Sequence, residues 1–329
     1  MFQTDLIIFL QSFSTPFLDA FFLFITGLGD EASIQAIVII LLFGVNYRKG
    51  FLLIQLILAT AIATGVSKNF FALPRPFNVD VAVRAPGYAL NPAAVSVGKG
   101  AETFWGLLPE AAIQHFRMHL PNSFGFPSGH TSSAVTLWGA IALLFRKWWI
   151  TAVCLMLIGL VPFSRLYLGR HFPADILGGC VLGAILLFLF YRYAFENRRL
   201  NNLLFTIPPE SGTFPRLTAA CGFLIPVLFI GLNVQPEYAA MWLGFNIGFY
   251  LVWKKGIPDD KASILIRISR VAMACALFYA LDRLAAPLIG WCKTAEADML
   301  LYLVVTGLLI LFIWLATEAM VKLGWMNRA

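Results

Sequence analysis

Residues suited to phosphate chemistry are gathered in three short segments, and each segment adjoins a long apolar run. The segments are KNFFALPRP from residue 68, PSGH from residue 127 and SRLYLGRHFPAD from residue 164. Their candidate phosphate ligands are Lys68, Arg75, Ser128, Gly129 and Arg165. An arginine fork matches phosphate oxygens in pairs, lysine adds a point charge, and a helix start behind a Ser-Gly turn offers a hydroxyl and free backbone N–H groups. Together the segments predict an anion site.

Two histidines in the same segments can do nucleophilic and acid–base chemistry. His171 stands four residues before Asp175, and Pro173 suits the first turn of a helix. One turn away, the carboxylate can hold an imidazole nitrogen and stabilise the protonated ring. His171 is then a candidate nucleophile, and His130 is free to protonate a leaving group. Taken singly, each residue also has a simpler interpretation, as a structural histidine or as a cation anchored at a membrane interface.

The elements that position these residues are membrane helices. The 329 residues are 60% hydrophobic and 12% charged, with a mean hydropathy of +0.80. The apolar residues come in runs that approach the roughly 20 residues needed to cross a bilayer. We therefore expect an all-α, polytopic membrane helix bundle of ten spans, six before about residue 196 and four after it. Residues 5–28 are the doubtful first span, because Gln11, Pro16 and Asp19 interrupt them.

The basic residues indicate which loops share a side. Basic clusters follow every second apolar run, as the positive-inside rule requires, so the formal charge of +7 sets topology and does not indicate nucleic-acid binding. The same assignment places all three chemical segments at the opposite, outer surface. Lys68 and Arg75, seven residues apart, would share a face of a continuous helix. Two histidines with three cations at one surface favour a site over separate anchors.

The three segments resemble the complete signature of the type 2 phosphatidic acid phosphatase superfamily. The matching elements are Lys68-x6-Arg75-Pro76, Pro127-Ser128-Gly129-His130 and Ser164-Arg165-x5-His171-x3-Asp175. That superfamily includes membrane lipid phosphatases, glucose-6-phosphatase-like enzymes and vanadium haloperoxidases. The resemblance covers about residues 1–196.

The resemblance implies a role for each matching residue. His171 would attack phosphorus and form a phosphohistidine, Asp175 would orient it, and His130 would serve first as general acid and then as general base. The phosphoryl oxygens would be held by Lys68, Arg75, Arg165, Ser128 and the backbone of Gly129. The family needs no metal, so we expect neither a metal nor another cofactor.

The expected domains are a six-span phosphatase core over 1–196, which includes an extramembrane loop over 74–126, a cytoplasmic connector over 197–216 and a four-helix membrane region over 217–329. The last region carries no catalytic set, and its role stays open.

In the expected loop over 74–126, His115 and His119 are four residues apart. This pair suggests either a metal pair or the polar face of an interfacial helix whose Ile113, Phe116 and Leu120 touch lipid.

The sequence therefore predicts an integral membrane lipid phosphatase that acts on phosphomonoester or pyrophosphate headgroups. Undecaprenyl pyrophosphate and phosphatidate or phosphatidylglycerophosphate are the expected substrates, and lipid A stays possible. No N-x-[ST] acceptor occurs, which favours a bacterial inner membrane with the site on the periplasmic face. The alternatives are a lipid phosphotransferase that uses the same phosphohistidine and a non-enzymatic transporter or scramblase.

Overall fold

The computed structural model describes residues 1–87, 100–119, 124–196 and 213–328, and within these ranges the chain is helical. The N-terminal helices are α1 (Asp5–Ser12), α2 (Pro16–Gly27), α3 (Glu31–Ile39), which continues as a π-helical turn (Ile40–Val45), α4 (Tyr47–Phe71), α5 (Pro76–Val79) and α6 (Glu110–His119). The remaining helices are α7 (Gly129–Phe145), α8 (Trp148–Tyr167), α9 (Pro173–Phe190), followed by a π-helical turn (Tyr191–Phe195), α10 (Thr213–Gly231), α11 (Pro236–Lys254), α12 (Ile264–Thr294) and α13 (Asp298–Lys322).

Five helices of the described ranges are long and apolar enough to cross a membrane, and a sixth span is reached if α2 and α3 count as one broken span. The five stretches are Tyr47–Val79, Trp148–Tyr167, Pro173–Phe195, Ile264–Thr294 and Asp298–Lys322. Two shorter apolar stretches are Gly129–Phe145 and Ala220–Gly231, the second being part of the longer helix α10. The chain is an all-α integral membrane protein, as expected, and the count of ten spans stays a prediction.

The N-terminal segment differs from its expected single span. Residues 5–28 form two helices, because the chain leaves helical geometry after Ser12 and Thr15 caps α2 by accepting a hydrogen bond from Leu18 N. With eight residues, α1 is about 12 Å long and too short to cross a bilayer. Its polar Gln11 is buried and donates to the carbonyls of Arg84 and Tyr167. Gln11 therefore ties the N-terminus to a loop.

The packing divides the chain into two compact units. Unit 1 comprises Met1–Ile34 and Ala59–Phe188, and unit 2 comprises Gln35–Leu58 and Leu189–Ala329. We expected a phosphatase core over 1–196, but the contacts group Gln35–Leu58 with the C-terminal helices. Most of the expected connector, residues 197–212, lies outside the described residues.

In unit 1, α8 packs against α1, α2 and α7, and glycines bring α9 close to α7. A Cβ on Gly179 would lie 2.6 Å from the carbonyl oxygen of Ser128, and one on Gly183 would lie 2.9 Å from that of Ser132. No side chain fits at such distances, so these glycines permit the helix approach. That approach sets the start of α7 beside the start of α9.

Helix α6, which lies in the segment expected to be an extramembrane loop, packs on protein, contrary to the expected lipid contact. Ile113 and Phe116 are buried, and Arg117 donates to the carbonyl oxygens of Phe71 and Ala72 at the end of α4. The prediction that Ile113 and Phe116 touch lipid is therefore wrong. Leu120 and the side chain of His119 lie outside the described residues.

In unit 2, polar side chains join the helices to one another. Gln55 donates to Asn246 at 2.9 Å and accepts from Trp242, while the amide of Asn246 donates to the carbonyl of Gly222 at 2.7 Å. The carboxylate of Asp260 accepts from the backbone N–H of Tyr47 at 2.7 Å. These groups satisfy one another's hydrogen bonds. Asp282 and Arg283 lie inside the continuous helix α12, where Asp282 is half-buried and Arg283 is exposed.

Candidate functional site

His171, in the turn between α8 and α9, forms a buried pair with Asp175, in the first turn of α9. His171 Nδ1 lies 3.2 Å from Asp175 Oδ2, and the two side chains are 1% and 0% exposed. The backbone N–H of Phe172 also donates to Asp175 Oδ2, at 2.9 Å. The pair has the i, i+4 arrangement expected from the sequence. With Nδ1 held by the carboxylate, Nε2 is the nitrogen left for chemistry.

The backbone brings the second segment to this pair. The N–H of Ser128 donates to the carbonyl of Asp175 at 2.9 Å, and the N–H of Gly125 donates to the carbonyl of Leu73 at 2.7 Å. A Cβ on Gly125 would lie 2.8 Å from the carbonyl oxygen of Pro74 and 3.1 Å from Asp175 Oδ2. These bonds join the end of the first segment, the start of α7 and the start of α9.

Ser128 and Gly129 occupy the N-terminus of α7, as expected for an anion site. Ser128 is the N-cap, and its hydroxyl oxygen accepts from Thr131 N at 3.4 Å and from Thr131 Oγ1 at 2.9 Å. Both bonds use the oxygen as acceptor, so the hydroxyl proton of Ser128 can still be donated. A Cβ on Gly129 would lie 3.8 Å from Lys68 Cε, which places the lysine stem beside this turn.

The three cations approach the histidine pair from different elements. Lys68, in the last turn of α4, donates to the carbonyl of Phe124 at 3.0 Å. Arg165, in the last turn of α8, is 3% exposed and donates to Thr26 Oγ1 at 2.7 Å. Arg75 precedes α5 and does not share a continuous helix with Lys68, because α4 ends at Phe71 and Ala72 has a φ of 47°. A turn at residues 72–75 therefore joins Lys68 to Arg75, and the two residues do not share the helical face that the sequence predicted.

Electrostatics at His171 follow from its burial and from these cations. Burial lowers the pKa of His171 well below its usual range, and the positive charges of Arg75, Arg165 and Lys68 lower it further. Neutral imidazole is the nucleophilic form, so this environment favours a ring that can attack. The same cations suit an anion beside the ring.

His130 has a carboxylate partner that the sequence did not indicate. Its Nε2 lies 2.8 Å from Asp30 Oδ1, across 100 positions of sequence, and Asp30 lies in the break between α2 and α3. Thr26 and Gly29 of the same stretch contact Arg165 and His130. The only sequence signal was a Gly-x-Gly-Asp interruption, residues 27–30, inside an apolar run.

The described residues include no group of three or more metal-ligating side chains.

The structure therefore assembles all eight residues predicted from the sequence in unit 1. They are Lys68, Arg75, Ser128, Gly129, His130, Arg165, His171 and Asp175. They provide one nucleophilic nitrogen, a second imidazole, three cations and a helix N-terminus. This arrangement can bind a phosphoryl group, attack it and exchange a proton with a neighbouring oxygen.

Comparison with known proteins points to one family. Residues 49–199 match the family model described as the PAP2 superfamily, and this range contains all eight predicted residues. Undecaprenyl-diphosphatase BcrC of Bacillus subtilis is 36% identical over 94 residues, which are 29% of this chain and 42% of the relative. The lipid A 4'-phosphatase of Bacteroides thetaiotaomicron is 37% identical over 68 residues, which are 21% of this chain and 30% of the relative.

One solved structure is also similar. The crystal structure of Aquifex aeolicus LpxE aligns with a TM-score of 0.41 and 23% identity, and covers 58% of this chain and 95% of that one. The chain spans less than half the length of the two curated relatives above.

Proposed function

We propose that the chain is a membrane lipid phosphatase of the PAP2 superfamily, whose family model matches residues 49–199, and that it releases phosphate through a phosphohistidine on His171. The observation that carries the proposal is the buried His171–Asp175 pair, whose Nε2 is left for attack beside three cations. Asp175 orients the ring through Nδ1, so the free nitrogen has a fixed direction. The proposed reaction needs no cofactor from outside the chain.

In the first step, His171 Nε2 forms a bond to phosphorus while the bond to the leaving oxygen breaks. Protonated His130 gives its proton to that oxygen, which departs as an alcohol or, from a pyrophosphate, as a phosphate monoester. Lys68, Arg75 and Arg165 hold the phosphoryl oxygens. Their positive charges stabilise the transition state, in which negative charge spreads over these oxygens.

In the second step, water attacks phosphorus and the bond to His171 Nε2 breaks. Neutral His130 takes a proton from the water, and inorganic phosphate leaves. The hydroxyl proton of Ser128 and the backbone N–H groups at the start of α7 supply further donors to the phosphoryl group. After release, His171 is neutral and His130 is protonated again, so the cycle closes.

The proposed substrates are lipids that carry a phosphomonoester or pyrophosphate headgroup. The site is built at the ends of apolar helices, where a headgroup lies while its tail stays in the bilayer. The relatives include an undecaprenyl-diphosphatase, a lipid A 4'-phosphatase and a phosphatidylglycerophosphatase B. Undecaprenyl pyrophosphate and phosphatidate or phosphatidylglycerophosphate are therefore the substrates to test first.

The proposed location is a bacterial inner membrane with the site on the periplasmic face, as the alternation of basic clusters indicates. Single cysteines placed near Lys68, His130 and His171 in a cysteine-free background are expected to react with an impermeant reagent from the outer side. Reaction from different sides would divide the site between compartments and exclude the mechanism.

The direct test is phosphate release by purified protein in detergent from a panel of these lipids, with EDTA present. Wild-type activity is expected to survive the chelator, because the proposed phosphate ligands are cationic side chains and backbone amides. Acid-labile phosphate should appear on the wild-type protein after a rapid quench and be absent from His171→Asn. A requirement for a divalent ion would contradict the proposal.

A second enzyme class uses the same intermediate. If a lipid or sugar hydroxyl reacts with the phosphohistidine in place of water, the product is a new phosphate ester and the chain is a phosphotransferase. Product analysis with a hydroxyl acceptor present separates the two. Full cellular function of His171→Asn would favour a non-enzymatic transporter or scramblase instead.

A further inference from the structure

The break between α2 and α3 reaches the site from outside the matched family range. Residues 28–30 connect the two helices, belong to unit 1 and precede the matched range, 49–199. From this stretch Asp30 contacts His130 and Gly29 packs against the same ring, while Thr26, in the last turn of α2, accepts from Arg165. A short segment thus touches two of the proposed site residues.

We propose that Asp30 is a positioning residue that fixes the orientation and proton position of His130, and so sets its strength as the acid for the leaving group. The inference rests on the proposed function, since it assigns a role within the same reaction. The His130 Nε2 to Asp30 Oδ1 distance of 2.8 Å is shorter than the 3.2 Å of the His171–Asp175 pair. Asp30 is therefore well placed to hold one ring nitrogen.

The two histidine–carboxylate pairs use opposite ring nitrogens. Asp175 holds Nδ1 of His171, which leaves Nε2, whereas Asp30 holds Nε2 of His130, which leaves Nδ1. A carboxylate on one nitrogen fixes the ring and stabilises the imidazolium that carries the proton. His130 also lies in the field of Arg165 and Lys68, which disfavours a further positive charge. The hydrogen bond and the negative charge of Asp30 oppose that field, but burial, the largest cause, still leaves the pKa of His130 lowered to about 4.

The absence of a side chain at Gly29 leaves space for the imidazole ring of His130. A Cβ at position 29 would lie 3.0 Å from His130 Cδ2 and 3.3 Å from Val161 Cγ1. Contacts of that length force a neighbour to move, and Val161 is fully buried in α8. The glycine and the aspartate that follows it thus act on the same imidazole, one by leaving space and the other by a hydrogen bond.

The exposure of the two carboxylates fits different roles. The side chain of Asp30 is 56% exposed and that of His130 is 24% exposed, whereas both members of the other pair are buried. An acid that must be reprotonated from water in every turnover needs a path to solvent. A nucleophile that must stay neutral is better served by burial.

The kinetic test compares two leaving groups in Asp30→Asn. A lipid phosphomonoester has an alkoxide leaving group that needs a proton, whereas 4-nitrophenyl phosphate has a phenolate that departs without one. We expect Asp30→Asn to lower kcat/KM about 100-fold for the lipid and less than about fivefold for the aryl ester, since a general acid contributes about 10²–10⁴-fold. Asp30→Glu should recover part of the loss.

The matched control is Glu31→Gln, which removes a negative charge from the adjacent, exposed residue at the start of α3. It should change both substrates by the same small factor. A loss in Asp30→Asn that is equal for the two substrates, or one that Glu31→Gln reproduces, would overturn the inference while leaving the proposed function intact.

A second measurement does not depend on turnover. The chain has four histidines, so ¹⁵N-histidine labelling gives a small set of imidazole signals that His130→Gln and His171→Gln assign. Asp30→Asn is expected to change the tautomer and titration of His130 and to leave those of His171 in place. An unchanged His130 signal would overturn the inference. Absent phosphate release by wild type would instead overturn the proposed function, and this signal would still report on the pair.

Discussion

The two units both bury an arginine, but they surround it differently. In unit 2, Arg270 is 1% exposed, donates to the carbonyl of Trp325 and lies in the field of Asp259 and Asp260. In unit 1, Arg165 is 3% exposed and acts on His171 together with two further cations, Arg75 and Lys68. Burying a charge is costly unless it is paired or has a function.

This contrast indicates which part of a protein rich in apolar helices can bind and convert a charged ligand. Polar groups of unit 2 pair with one another, as in the contacts of Gln55 with Trp242 and Asn246. Such contacts hold helices together and leave no unbalanced charge to recruit a ligand. In unit 1 the positive charges converge on one imidazole, which is the arrangement expected of an anion site. Four predictions test this contrast.

The largest expected effect belongs to His171. Replacement by asparagine removes the proposed nucleophile and should lower phosphate release from a lipid phosphate by about 10⁴-fold or more, since removing a nucleophile abolishes the covalent route. The matched control is His115→Asn, in helix α6, which should leave the rate within about twofold. Comparable losses in the two variants would mean that His171 acts through folding and not through chemistry.

The next effect compares the two buried arginines directly. Arg165→Lys keeps a charge but loses the planar fork, so kcat/KM should fall about 10²–10³-fold while thermal unfolding changes little. Arg270→Lys should keep kcat/KM within about twofold and lower stability by about 1–3 kcal/mol, because a buried donor is lost beside the Trp325 carbonyl. Activity assays and thermal unfolding in the same detergent measure both. If Arg270→Lys lowered kcat/KM and Arg165→Lys lowered only stability, the proposed difference between the two units would be wrong.

Much of the site could be predicted from sequence because its members are fixed by local rules. The i, i+4 spacing of His171 and Asp175 and the N-cap at Ser128 are set within one helical turn, and both occur as expected. Charged residues that adjoin apolar runs can likewise be recognised from the local sequence. The fold class followed from hydropathy alone.

What could not be predicted depends on contacts between distant segments. Asp30 meets His130 across 100 positions, and no local pattern marks that pairing. The burial of Ile113 and Phe116 likewise depends on protein that packs over α6, where amphipathic spacing alone suggested lipid. The turn at Ala72, with its φ of 47°, removed the helical face that the spacing of Lys68 and Arg75 had suggested.

The third prediction concerns pH. The pKa of His171 is lowered by burial and then by the charge of Arg75, so the neutral ring persists below pH 6.5, its ordinary value. Arg75→Gln removes a cation, which should raise this pKa and move the acid limb of kcat/KM to higher pH. The same lowered pKa affects stability: as pH falls below 6.5, the unfolded chain gains a proton on His171 that the folded chain does not, so the free energy of unfolding decreases. An acid limb that stays in place in Arg75→Gln would remove Arg75 from the electrostatic account.

The smallest effect on activity is expected from the polar contacts of unit 2. Asn246→Leu breaks the bonds to Gln55 and to the carbonyl of Gly222, and hydrogen bonds between membrane helices contribute about 0.6–2 kcal/mol each. Thermal unfolding in detergent should therefore show a loss of about 1–3 kcal/mol, while phosphate release at a temperature where the variant is folded stays within about twofold of wild type. The paired groups leave no net charge for a phosphate, so weaker pairing loosens helices without altering the cationic site.

The contradicting outcome is that Asn246→Leu lowers kcat/KM as far as Arg165→Lys does at equal folded fraction. Unit 2 would then take part in catalysis. The contrast between paired polar groups in unit 2 and converging charges in unit 1 would no longer show that the chemistry occurs in unit 1.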